Sequence, residues 1–371
     1  MQNMDIALFT EMLNIDSTSG NEAGFADFLT GRFAGPGRKI EMFDVGDGTR
    51  NILVSWGRPE VVFCTHLDTV PPYIPPRVMP SEVETSPDKV FYGRGTCDAK
   101  GQIFAMYEAC KALETKGYTD FGLLLLAGEE TGSHGAKAFS ALSRSSADSW
   151  LIVGEPTDNC MASAAKGTKS FELTFEGRAC HSGYPENGES AIEYFNDFMN
   201  ALRSIVFPED DLLGKTTWNI GKLVSNNPQN ILSDRLTCRL YFRTTFESDE
   251  MVCNIMKNIA GPEAKLRFGR REVQDGSDIV AKAVAPWQRA MSVRAFGGDT
   301  PSRFEVFDDF PSKPVAFGSD APHLTSFTRK ILCGPGSILV AHKDEEQITL
   351  KELETAVDSY VRMYETIKNN I

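Results

Sequence analysis

Residues 61–72 read Val-Val-Phe-Cys-Thr-His-Leu-Asp-Thr-Val-Pro-Pro, a short apolar run that breaks at His66 and Asp68. The arrangement recurs along the chain. Leu123 to Gly128 leads to Glu129 and Glu130, and Leu151 to Gly154 leads to Glu155. Ile331 to Gly336 leads through a glycine-rich turn to His342. Between the first two runs lies Gly93-Arg94-Gly95-Thr96-Cys97-Asp98, just before a helix expected at about 102–116. Phe25, Phe28, Leu29 and Phe33 repeat at helical spacing. Strand-like runs alternating with helices predict an α/β sheet covered by helices. Open sheets of this kind bind ligands beyond the carboxyl ends of their strands. If the four runs are parallel neighbours, His66, Asp98, Glu130, Glu155 and His342 meet there.

The middle of the chain has another rhythm. Lys169 to Gly177 alternates like a half-buried strand, and Ile192, Phe195, Met199, Leu202 and Val206 share one helical face. Strands near 216–223 and 234–245, a helix from Glu250 to Ile259 and a strand from Lys265 to Gly269 complete β-α-β-β-α-β, the ferredoxin-like order. We therefore expect a domain at 168–272 inserted into one formed by 1–167 and 273–371. In the returning part, Ala283 to Phe296 reads as a helix, 315–317 and 331–333 as strands, and 350–368 as a closing helix. Thr349-x-x-Glu352 is a capping box for that helix.

Composition narrows the function. The chain has 371 residues, with 38 basic against 51 acidic and a net charge of −13. That argues against a general nucleic-acid or acidic-membrane binder, since both need a positive surface. No apolar run approaches the ~20 residues of a membrane span, and MQNMDIALFTEML has no export-signal pattern, so a cytoplasmic protein is expected. Eight cysteines are spread without a C-x-x-C, which excludes a zinc ribbon. The chain also lacks G-x-S-x-G, H-E-x-x-H, a phosphate-binding loop and a complete dinucleotide fingerprint.

Two imidazoles and three carboxylates suit Zn²⁺, with Co²⁺ or Mn²⁺ as alternatives. Five ligands exceed one tetrahedral zinc and suit two metals if one carboxylate bridges. Taken singly, a carboxylate after a strand is ordinarily a cap or a surface charge; the recurrence at four strand ends carries the reading. His134, four residues after Glu130, reads as a turn and helix start, and His323 as a residue near the site entrance rather than a ligand.

The stretches His66-Leu67-Asp68-Thr69-Val70-Pro71-Pro72, Gly93 to Gly101, Gly128-Glu129-Glu130, Gly154-Glu155-Pro156-Thr157 and Gly334-Pro335-Gly336-Ser337 with Ala341-His342 resemble a family of co-catalytic zinc amidohydrolases and peptidases. Its members include acetylornithine deacetylase, succinyl-diaminopimelate desuccinylase, aminoacylase and glutamate carboxypeptidase. The motifs stand in family order from 66 to 342. The resemblance implies a zinc-peptidase-like catalytic domain with a mixed, mostly parallel sheet, plus a ferredoxin-like dimerisation or lid domain.

It further implies that His66 and Glu155 bind one zinc, Glu130 and His342 the other, and that Asp98 bridges. Asp68 would orient the His66 imidazole, and Glu129 would be general base and then general acid. His181, in Cys180-His181-Ser182-Gly183, would reach the partner subunit's site and stabilise the oxyanion. Asn230 and Arg243 would contact substrate, Arg243 gripping a carboxylate; Leu232-Ser233 departs from the family's proline-containing segment after Asn230. Gly318-Ser319-Asp320-Ala321 resembles a loop at the substrate's edge, with Ser319 in place of a frequent Thr.

The implied reaction is hydrolysis of an N-acyl-amino acid by a homodimer, most like acetylornithine deacetylase and hence arginine biosynthesis. A dipeptidase, carboxypeptidase or desuccinylase using the same centre is the alternative. A catalytically silent binding module is the non-enzyme rival, disfavoured because every expected ligand and the expected base are present.

Overall fold

A computed structural model of the chain describes residues 4–79, 89–142, 149–259 and 285–369. It divides into two compact units. Unit 1 comprises Met1–Ser163, Arg303–Lys313 and Ser319–Ile371; unit 2 comprises Ala164–Ser302 and Pro314–Gly318.

Unit 1 is built on a six-stranded sheet. Its strands, in spatial order, are Arg38–Gly46, Thr49–Trp56, Phe121–Leu126, Val61–His66, Trp150–Val153 and Arg329–Leu332. The first two form an antiparallel hairpin, and Thr49–Trp56 runs antiparallel to Phe121–Leu126. The last four strands are mutually parallel. The sheet is thus mixed and mostly parallel, as expected. Val61–His66 and Phe121–Leu126 are buried along their whole length, as strands covered on both faces must be. Register places His66 opposite Leu126 and Cys64 opposite Val153.

Helices Lys100–Thr115 and Leu350–Asn369 supply much of the cover. Phe104 of the first stacks on Phe9 of helix Ile6–Leu13 with ring centroids 4.9 Å apart. Tyr360 of the second meets Phe63 edge-on at 5.8 Å. Full burial of such a side chain contributes about 1.5–3 kcal/mol. The capping box forms as read: Glu352 N–H donates to Thr349 Oγ1 at 3.1 Å, and Thr349 N–H donates to Glu352 Oε2 at 2.7 Å.

Unit 2 holds a four-stranded antiparallel sheet in the order Thr217–Val224, Arg235–Thr244, Gly167–Glu176, Met291–Gly297. Helices Ala191–Arg203 and Asp249–Asn258 pack against it through Phe198, Leu202, Val252 and Met256. The order is ferredoxin-like. The expected strand at 265–269 lies outside the described residues. The expected helix at 283–296 is a single turn of helix, Pro286–Ala290, followed by the strand Met291–Gly297. Met291 and Val293 are buried while Ser292 and Arg294 are exposed, which is period two, and Val293 pairs with Leu173. An open sheet edge selected that period over the helical one, and it carries unit 2 past the expected limit of 272. The strand expected at 315–317 ends at Val315.

Thr349→Ala should lower the unfolding free energy by about 1 kcal/mol, the usual value of a lost N-cap. The check is a lower urea midpoint at unchanged slope; an unchanged midpoint would remove the capping box from the stability of this helix.

Candidate metal centre

The parallel strands deliver their ligand-bearing loops to one edge, and hydrogen bonds continue past the strand ends. Leu67 N–H donates to Leu126 O at 2.7 Å, Gly154 N–H to Cys64 O at 2.8 Å and Cys333 N–H to Val153 O at 2.9 Å. The loop after Glu155 is locked to the glycine-rich turn: Gly334 N–H donates to Thr157 Oγ1 at 2.9 Å and Asp158 N–H to Gly336 O at 2.8 Å. Gly336 has φ 77°, and a Cβ there would lie 2.5 Å from that of Cys97, so only glycine lets the turn approach the Asp98 loop.

His66, Asp98 and Glu130 each offer a ligand atom within 4.8 Å of the others. His66 Nε2 lies 3.0 Å from Asp98 Oδ1, and His342 Nε2 lies 3.2 Å from Asp98 Oδ2 and 2.9 Å from Glu130 Oε1. Asp98 therefore stands between the two imidazoles, one carboxylate oxygen toward each. His342 has φ 63°, a left-handed conformation costing on the order of 1–3 kcal/mol for a non-glycine residue. Glu155 is buried outside that closest group, and its carboxyl feels the charges of Glu129, His66 and Asp98.

Electrostatics point the same way. Burial would depress the His66 pKa, but hydrogen bonds with Asp68 and Asp98 hold it well above the usual range. Hydrogen bonds to Asp98 and Glu130 push His342 up to about 10. Asp98 would be raised by burial; His342 and His66 reverse this and hold it below the usual range. Burial first, with neighbouring carboxylates, pushes Glu129 and Glu155 well up. This set of two imidazoles among crowded buried carboxylates fits a divalent metal pair, whose charge would relieve the repulsion.

Asp68 meets the His66 imidazole through both its backbone and its carboxylate. The nearer partner of His66 Nδ1 is the Asp68 backbone carbonyl at 2.8 Å, with the carboxylate Oδ1 at 3.5 Å. An N–H donated to that carbonyl leaves the Nε2 lone pair free for a metal. The Asp68 carboxylate also accepts from Glu129 N–H at 3.0 Å, Glu130 N–H at 3.2 Å and Ser19 Oγ at 2.8 Å. It orients the Glu-Glu turn as well as the histidine loop.

Sequence reading passed over Asp320 and Gln102. Asp320 is buried, and burial pushes its carboxyl up to about 6 against the opposing charge of His66. Gln102, also buried, donates to Cys97 O at 2.8 Å and Pro335 O at 2.7 Å, joining two ligand loops. Gln102 stands two residues into a helix, where nothing in spacing marks it. Asp320 had a signal, since it stands inside the Gly318-Ser319-Asp320-Ala321 motif, although no role was assigned to it. Ser319 is buried in unit 1, its Oγ accepting from Ala321 N–H at 3.3 Å. His134 is exposed at the start of helix His134–Ala141, and His323 lies in the 3₁₀ turn Ala321–His323. Neither is in the close ligand group.

His181, Asn230, Arg243 and Gly318 belong to unit 2. The first two are neighbours: Ser182 N–H donates to Asn230 O at 2.9 Å and Leu232 N–H to Cys180 O at 3.0 Å. Gly183 N–H donates to His181 Nδ1 at 3.0 Å. With Nδ1 accepting, the N–H of the exposed ring lies at Nε2. Arg243 lies over the Tyr241 ring at 5.0 Å. Burial, then the Arg243 charge, hold Lys166 below its usual pKa, so two cations share this region.

Asp68→Asn should weaken metal affinity about 10- to 100-fold, because an amide N–H₂ would replace one acceptor oxygen and face a backbone N–H donor. Calorimetric titration with Zn²⁺ checks this; unchanged affinity would show that Asp68 does not organise the ligand loops.

The model of peptidase family M20/M25/M40 matches residues 62–366. A protein of Aspergillus flavus named "Probable carboxypeptidase" is 35% identical over 82% of this chain and 74% of its own length. Among solved structures, a tripeptidase of Staphylococcus aureus superposes with a TM-score of 0.74 at 17% identity, covering 96% of this chain and 95% of that one. An M20 family metallo-carboxypeptidase of Sulfolobus solfataricus gives 0.68 at 14% identity, covering 97% and 98%. With a family model spanning most of its length and relatives above 30% identity, this chain belongs to peptidase family M20/M25/M40 and is a metal-dependent hydrolase.

Proposed function

We propose that the protein is a dinuclear metallopeptidase that removes the C-terminal residue from short peptides. The observation that carries the chemistry is the meeting of His66, Asp98, Glu130 and His342, with Glu129 beside them and anchored through its own N–H to Asp68. The family-named relatives favour a peptide bond over the acetylornithine-type amide suggested by the Gly334-Pro335-Gly336-Ser337 resemblance.

His66 and Glu155 would hold one metal, Glu130 and His342 the other, and Asp98 both, with zinc or cobalt suited to the donors. When bound, such a pair activates water and polarises the scissile carbonyl. Glu129, left outside the ligand set, takes the proton of the attacking water and returns it to the leaving amine nitrogen. Arg243, with Lys166 near it, supplies the cationic grip for the substrate's terminal carboxylate, and Asn230, Gly318 and Ser319 border the substrate. His181, with its proton on Nε2, donates to the oxyanion of a partner subunit's substrate in a homodimer built through unit 2.

The test is amine release from short peptides, the same peptides amidated at the C-terminus, N-acetylornithine, other N-acetyl amino acids and N-succinyl-diaminopimelate, each with and without chelator. Chelator-sensitive cleavage of free-carboxylate peptides is expected, with Glu129→Gln keeping its metal and losing at least ~10²-fold in turnover. Cleavage of acyl-amino acids alone would move the protein to the deacylase branch. Cleavage insensitive to chelator would overturn the metal mechanism.

The dimer has its own check. Mixing inactive Glu129→Gln with inactive His181→Ala should restore part of the activity as heterodimers form. No recovery despite demonstrated subunit exchange would show that His181 does not act across subunits.

A further inference from the structure

Arg94 and Glu346 form an ion pair at 2.8 Å in the interior of unit 1, with exposures of 1% and 0%. A fully buried pair carries a desolvation cost that its own attraction often fails to recover, and apolar residues of similar volume usually serve stability as well or better. A role beyond stability accounts for its presence, and the hydrogen bonds name one. Glu346 Oε2 takes the Arg94 guanidinium, while Oε1 accepts from Cys97 N–H and from Asp98 N–H, both at 3.1 Å. The carboxylate therefore holds the backbone of the residue that stands between the two imidazoles.

Arg94 completes the connection. It donates to Lys343 O at 3.1 Å, the carbonyl next after His342, and to Pro72 O at 3.3 Å, at the end of the His66–Pro72 stretch. The return contact is Gly93 N–H to Glu346 O at 3.0 Å. Three ligand-bearing loops, those of His66, Asp98 and His342, are thus tied to one buried pair that offers no atom to the ligand group.

Resting on the metal-centre reading above, we propose that Arg94 and Glu346 are positioning residues that set metal affinity by fixing Asp98 relative to His66 and His342. A planar fork with several donors can hold three acceptors in fixed directions, which a lysine cannot. The left-handed backbone at His342 is the strained element such a hold would keep in place.

The experiment titrates metal-free protein with Co²⁺, following heat and the visible absorption of bound cobalt. It compares wild type, Arg94→Lys, and the double variant Arg94→Met/Glu346→Gln, which leaves no unpaired buried charge. Folding is checked by circular dichroism and near-UV signals. The expected result is folded variants with about 10- to 100-fold weaker Co²⁺ binding and an altered absorption envelope, with kcat falling more than KM changes. Folded variants with wild-type affinity and spectrum would overturn the proposal. So would failure of both variants to fold, since the pair would then support the fold and not the site. Absence of Co²⁺ binding by wild type would instead count against the metal centre itself.

Discussion

Parallel pairing of Val61–His66 with Phe121–Leu126 on one side and Trp150–Val153 on the other is the constraint on which the site depends. Neighbouring strands lie about 4.7–4.9 Å apart. Side chains leaving adjacent strand ends are therefore already separated by little more than the ~3.5–4 Å between metals in a dinuclear centre. No long-range search is needed to bring His66, Glu130 and Glu155 near one another. The loops need only continue the ladder for a residue or two, which the bonds from Leu67, Gly154 and Cys333 do.

That convenience brings an electrostatic load. Five carboxyl groups gather around His66, those of Asp68, Asp98, Glu155 and Asp320 buried and that of Glu129 half-buried. The chain divides them by environment. Asp68 is surrounded by donors and stays below its usual pKa, whereas Glu129 and Glu155 are pushed up by burial and by one another. Carboxylates separated in this way can take different roles in one reaction. The same crowding explains why cations, supplied by protonated imidazoles or by metal, are integral to the arrangement.

Much of this was legible from residue order. The four apolar runs, the ligands after them and the Thr349–Glu352 cap are local signals, and local signals survive in a single sequence. The failures are equally physical. Residues 283–296 contain both a helical and an alternating pattern, and the edge of Gly167–Glu176, open for pairing, decides between them. Arg38–Gly46 and Thr49–Trp56 carry mixed polarity at the outer side of the sheet, so their strand character is weak until pairing is seen. Arg94 stands inside the Gly93 to Gly101 motif and Glu346 four residues beyond His342, yet nothing in sequence says that they touch.

By itself the sequence determined the fold class, the family and the list of chemically capable residues, because these follow from periodicity, order and side-chain type. Only the tertiary structure decided which groups face which. It showed that His66 leans on the backbone of Asp68 as well as on its carboxylate, that Asp98 stands between two histidines, and that a buried Arg94–Glu346 pair ties their loops together. Those contacts join residues as far as 252 positions apart. Chain order carries no information about such distances, and the close packing of the folded interior sets them.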